Sequence, residues 1–491
     1  MIRLERPGDL DLERYRRVAG RGERIAIAPE LLAAVDASRA PMLARLEGGA
    51  VAYGVTTGLG HLARTAIPAG EQLAFQRSLL MRGAGTGPPF PPDVARGALL
   101  IRLAGFLHGA AGVSAALCAT IADRLNDGWA PVVPSQGITS AGEVIALSHL
   151  VQPLLGAGEV LVGGEVLPAA VALDRAGAAP YAPGLKEGIA LINGAPLAPA
   201  LGAHLGARAA ALLDAATVAG ALTATLAGQS SRPYSPRIGR LKGDPAQVRV
   251  LERLGALGAG TGFEERPQGP VSFRVLPQVH GAVLELADRL EELVGRELRG
   301  VSDSPLILTE ADGEPAGFYP SGNFHPAAIA LALDGLTSGI AQVGNLALQR
   351  IHRLLDARYT GLTDQLAVEP GRQSGVTFAH KAALSHVAEL RRLAAPAGVQ
   401  MFDGSTGQED VQSMAFLAAD QLGRALDALE QVLAAELVAA RQAHHLRGRP
   451  LPPMLEAAVE RVAAVVGPVE DDRSLAADLA AARDVLRSGL A

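Results

Sequence analysis

Side-chain chemistry is concentrated first at a tyrosine in a glycine-rich turn, Tyr53-Gly54-Val55-Thr56-Thr57-Gly58-Leu59-Gly60. A phenol titrates near pH ~10 in water, so it takes a proton from carbon only where its surroundings activate it. Glycines let such a loop bend over a bound molecule as a lid; the plain alternative is a tyrosine packed under the loop. Two arginines are candidates for holding an anion. Arg274 lies in Gln268-Gly269-Pro270-Val271-Ser272-Phe273-Arg274, and Arg82 follows Gln76-Arg77-Ser78-Leu79-Leu80-Met81. A guanidinium grips a carboxylate with two parallel hydrogen bonds, although Arg82 could equally be an ordinary surface residue. Asn193 ends the apolar run Glu187-Gly188-Ile189-Ala190-Leu191-Ile192 and precedes Gly194, which alone reads as a turn. Glu409 is a polar candidate that could also serve a helix dipole.

Several chemistries are not indicated. The eleven histidines show no metal-ligand spacing, and neither a dinucleotide-binding glycine pattern nor a phosphate loop is present. Net charge is -6 without a large block, so neither nucleic acid nor a membrane surface is an expected partner. The one cysteine, Cys118, sits in an apolar run and reads as buried filler. A single cysteine excludes an internal disulfide and suits a reducing cytoplasm. The charged N-terminus does not read as a signal peptide.

These residues must be positioned by long helices. Hydrophobic residues are 49% and aromatics 3%, a balance that suits helices packed closely on alanine, leucine and glycine. Periodicity predicts helices at about 23–45, within 71–126, at 144–155, 196–229, 275–297, 324–357, 376–396 and 408–446, with a helical hairpin over 454–489. Glycine-rich, β-like runs fill 156–184, and loops fall at 53–62, 130–143, 259–274, 302–323, 360–375 and 397–407. Every candidate residue lies in one of these loops or beside one. The segment 209–228 is the most membrane-like, and its Asp214, threonines and glycines favour a buried bundle helix. The expected division is a loop-rich N-terminal domain (1–195), a central long-helix bundle (196–446) and a C-terminal helical segment (447–491).

The motifs, in order, resemble the histidine and aromatic amino acid ammonia-lyases over residues of about 10 to 446. Tyr53 to Gly60 resembles that family's Tyr-Gly-Val-Asn-Thr-Gly-Phe-Gly, whose tyrosine is the base. Glu187 to Gly194 matches Glu-Gly-Leu-Ala-Leu-Ile-Asn-Gly; Gln268 to Gly281 resembles Gln-Asp-Pro-Tyr-Ser-Leu-Arg-x-x-Pro-Gln-Val-x-Gly. Ser321-Gly322-Asn323-Phe324-His325 and Gln408-Glu409-Asp410-Val411-Gln412-Ser413-Met414 match further motifs. The resemblance implies a mostly α, ammonia-lyase/aspartase-like long-helix bundle and a homotetramer with shared sites. It implies a catalytic set of Tyr53, Asn193, Arg274 and Glu409, with Gly60, Arg82, Asn323, Phe324 and Gln408 around the substrate; His325 reads as structural.

The departures from the family lie on its chemistry. The family cyclises an Ala-Ser-Gly tripeptide into the electrophile methylidene-imidazolone. Counting back from His149 puts Ser140, Ala141 and Gly142 at those positions. The middle residue must lose a hydroxyl, and alanine has none, so the prosthetic group is expected to be absent and no other cofactor is implied. Val271 stands at the second catalytic tyrosine, and a residue near Arg82 replaces a substrate-recognising histidine. The favoured expectation is an enzyme using Tyr53 as base for β-elimination on a small amino-acid-like carboxylate whose leaving group needs no activation. The alternatives are a non-catalytic binding or regulatory relative, and a conventional lyase with its electrophile built from Thr139-Ser140-Ala141.

Overall fold

The computed structural model describes residues 1–260 and 268–490, so part of the expected loop at 259–274 lies outside the described residues. The chain is mostly helical, as composition and periodicity predict. Its longest helices are Leu197–Leu226, Leu276–Glu297, Ala327–Leu354 and Ala415–Arg447. Their length and alanine content make them good helix formers, and most of their buried residues are Ala, Leu and Val. Two apolar stretches, one within 187–226 and the other Ala327–Leu354, are long enough to cross a membrane by length and composition; 83% and 61% of their apolar windows are buried in the protein.

Several boundaries differ from the expectation. The helix expected from residue 23 begins at Pro29, because Ile25–Ile27 pairs as a parallel strand with Ile2–Leu4 and proline suits a first helical turn. The last long helix begins at Ala415, not 408. Residues 404–409 instead close on themselves, with Gly404 and Glu409 exchanging backbone hydrogen bonds. The glycine-rich 156–184 segment forms the hairpin Glu159–Val162 and Glu165–Pro168, joined by Ala130–Pro131 into three antiparallel strands.

Two compact units are present. The first comprises residues 1–204, 290–331 and 397–419. Its core contains a buried ionic cluster: the Lys186 ammonium donates to Asp303 at 2.8 Å, and Arg102 donates to the other Asp303 oxygen at 3.1 Å. Both cations are desolvated, which lowers their pKa values, and Asp303 opposes that shift in each. The second unit comprises residues 205–289, 332–396 and 420–491. Its centre is a fully buried pair in which Arg350 donates twice to Glu436, at 2.6 and 2.9 Å, with the Thr223 hydroxyl donating to the same carboxylate.

Candidate active site

In the first unit the Tyr53 loop is held from beneath by Gln76. This fully buried amide donates to the Gly54 carbonyl at 2.8 Å and accepts from the Ile189 N–H at 3.2 Å. It thereby ties the loop to the helices Gln72–Leu80 and Glu187–Ile192. Gly54 has a φ of +69°, and a Cβ there would lie 2.8 Å from Leu59 and 2.9 Å from Ile189, so the turn requires glycine. Tyr53 is half-buried, and its phenol oxygen accepts from the Gly60 N–H at 2.8 Å. That donor fixes the ring and leaves the O–H to point elsewhere.

The 404–409 turn meets this loop. A Cβ on Gly60 would lie 2.6 Å from the Ser405 hydroxyl. Ser405 and Thr406 have φ values of 50° and 57°, an unusual conformation for residues other than glycine. At the other end of the turn, Glu409 accepts the Ala141 N–H at 2.8 Å. The neighbouring Ser140 hydroxyl donates to the Gly142 carbonyl at 2.7 Å. Gly142 faces the Phe324 ring and the Gly194 carbonyl, which would lie 3.4 and 3.6 Å from a Cβ at that position.

Glu143 anchors the same loop. Its buried carboxylate accepts the N–H groups of Leu197 and Ala198, at 2.6 and 2.7 Å, at the start of the Leu197–Leu226 helix. Burial pushes this carboxyl up to about 8, while the two N–H donors and nearby Arg102 pull it down. Asn193 ends the Glu187–Ile192 helix, and its carbonyl accepts from Arg102. Gly194 has no space for a side chain, since a Cβ would lie 2.4 Å from the Arg102 guanidinium.

The first unit therefore links Tyr53, Gly60, Glu409, Ala141, Gly142, Phe324 and the Asn193–Gly194 turn through successive contacts. Asn323 is exposed and donates to the Val301 carbonyl at 3.1 Å. Gln408 is exposed on the turn. Arg82 is also exposed, 5.7 Å above the Phe75 ring. The glycines after it make room for His149: a Cβ on Gly83 would lie 2.8 Å from the imidazole, and the Gly85 N–H donates to it at 3.0 Å. Arg274 belongs to the second unit. Its Nε donates to the Gly269 carbonyl at 2.9 Å, and the Gln268 amide, turned so that its oxygen faces the guanidinium, accepts from Nη1 at 2.9 Å. Val271 is 58% exposed beside an open cleft of about 800 Å³ bounded also by Gln342, Asn345, Gln349 and Tyr359. Among the described residues, no three His, Cys, Asp or Glu side chains are grouped to hold a metal ion.

The profile of the aromatic amino acid lyases matches residues 10–466. Histidine ammonia-lyase from Symbiobacterium thermophilum is 36% identical over all of this chain and 97% of its own length. The chain belongs to the aromatic amino acid lyase family, and it is an ammonia-lyase-type enzyme. Among solved structures, a tyrosine aminomutase from Streptomyces globisporus superposes with a TM-score of 0.90 at 29% identity, covering 99% of this chain and 97% of that one. The ergothioneine-degrading enzyme of Treponema denticola superposes with a TM-score of 0.94 at 22% identity, covering 99% of each chain, and so shares the fold.

Several residues of this lyase that hold the site were not singled out by sequence. Lys186, Asp303, Gln76 and Glu143 lie inside recognisable motifs, but nothing in a linear pattern shows that they are buried and paired. Arg102 lies in the apolar-looking helix Pro92–Phe106, where its charge is the only signal.

Proposed function

We propose that this lyase carries out β-elimination on a small amino-acid-like carboxylate, with Tyr53 as base, Arg274 on the carboxylate, and no methylidene-imidazolone. The observation that carries the reading is Ala141. It stands at the position that must lose a hydroxyl, it has no side-chain oxygen, and its N–H is already held by Glu409. The residues present therefore do not fit the prosthetic group in the register set by His149.

Without an electrophile, the enzyme must use a substrate whose nitrogen leaves unaided. A quaternary ammonium meets that condition: it is permanently cationic and has no lone pair with which to attack an electrophile. Removal of the β-proton by Tyr53 would form the carbon–carbon double bond as the α-carbon–nitrogen bond breaks, and the electron pair would depart with a neutral tertiary amine. The Treponema denticola enzyme that shares this fold degrades ergothioneine. Asn193, Phe324, Asn323, Gln408 and Gly60 surround the substrate in this reading, Arg82 offers a second positive charge, and the working form is a cytoplasmic homotetramer.

A second reading is supported by Ser140, whose hydroxyl stands at the middle position of Thr139-Ser140-Ala141. It makes the protein a conventional histidine-type lyase, in line with its 36% identity to one. The test is incubation with histidine, phenylalanine and tyrosine and with their N-trimethyl betaines, followed by ultraviolet absorbance of the unsaturated acid. The proposal expects product from a betaine and none from the free amino acids. Urocanate, cinnamate or coumarate formed from the free amino acids at ordinary enzyme rates, or no product from any betaine, would overturn it.

A further inference from the structure

We infer that Glu409 is a positioning residue whose carboxylate clamps the Ala141 N–H, and that the 404–409 turn thereby straps the 139–142 loop to the loop bearing Tyr53. The inference rests on the reading above, in which no covalent ring stiffens residues 140–142. The strap has two ends. Glu409 holds Ala141 at 2.8 Å, and Ser405 fills the space beside Gly60, whose N–H holds the Tyr53 phenol. Between those ends the turn is closed by the Gly404–Glu409 backbone pair, with Ser405 and Thr406 in the left-handed region. Such a conformation persists only where surrounding contacts impose it. A glutamate engaged in this way works through the backbone it holds, by accepting a hydrogen bond. Its negative charge on a substrate group is not what the geometry uses.

That distinction is measurable. A glutamine at 409 keeps an acceptor oxygen of similar reach, whereas an alanine removes it. Hydrogen exchange at the Ala141 amide reads the clamp directly, with or without a known substrate. Exchange is expected to be slow in the wild type, similarly slow in Glu409→Gln, and faster by on the order of tenfold or more in Glu409→Ala, as loss of a hydrogen bond to a charged group implies. Turnover of the active betaine should follow the same order. In kcat Glu409→Gln should lie between the wild type and Glu409→Ala, and the loss in Glu409→Ala should come with little change in KM. Equal Ala141 exchange in the wild type and Glu409→Ala would overturn the inference, and so would Glu409→Gln being as inactive as Glu409→Ala. Failure of the parent reading looks different. If the electrophile were built from Thr139-Ser140-Ala141, the Ala141 nitrogen would lie in the ring and carry no exchangeable hydrogen.

Discussion

In the proposed reaction the phenol of Tyr53 is the base, and it accepts from the Gly60 N–H at 2.8 Å within a turn pinned by Gln76. Replacing Tyr53 with phenylalanine removes one oxygen and no packing volume to speak of. Tyr53→Phe is expected to abolish turnover while the thermal unfolding midpoint stays within a few degrees of wild type; an active Tyr53→Phe enzyme would remove Tyr53 from the mechanism. Arg274→Ala is expected mainly to raise KM, by a factor corresponding to about 2 kcal/mol or more if the bound carboxylate is desolvated. Steady-state kinetics on the active betaine check this, and a loss confined to kcat would argue against a carboxylate-binding role. Tyr53, Asn193 and Arg274 could be picked out in sequence because each sits in a run of specific neighbours. The partners that hold them could not: Arg102 and Asp303 are separated by 201 positions and become a pair only in the folded chain.

Elements set the site through their ends and their close approaches. Glu143 joins the 139–142 loop to the first turn of the Leu197–Leu226 helix. Its folded pKa of about 8 is raised above the ordinary value of 4.5 by burial. The neutral form is therefore favoured by folding. The linked stability is complete below about pH 4.5 and is lost as pH rises through about 8. Glu143→Gln cannot titrate there, so unfolding midpoints across pH 5–9 should fall more steeply for the wild type than for the variant; parallel profiles would show that Glu143 does not titrate in this range. Close approach is tested at Gly188, where a Cβ would lie 2.3 Å from the Gln76 carbonyl oxygen of the neighbouring helix. Gly188→Ala should destabilise by roughly 1–3 kcal/mol through overpacking, read by denaturant unfolding. The long helices were legible because their apolar periodicity extends over many turns. The start at Ala415 was not, because the 404–409 turn is fixed by paired backbone groups and positive φ angles that leave no mark on periodicity.

At the scale of the whole molecule, the order of the motifs identified the family, and the profile match over residues 10–466 bears that out. The single chain leaves large apolar side chains exposed, including Val271 and Phe378 in the second unit and Val399 and Phe402 in the first. A homotetramer would cover such surfaces. Analytical ultracentrifugation is expected to give four times the 50.4 kDa chain mass, and a monomer at micromolar concentration would contradict it. The proposed departure from the family's chemistry is Ala141, which the register counted from His149 puts where a hydroxyl must leave. The measurement that tests this most directly is the intact mass of the purified protein, with fragmentation across residues 139–142. The account predicts the mass of the unmodified sequence. A deficit of two waters, located within 139–142, would contradict it and restore the conventional electrophile.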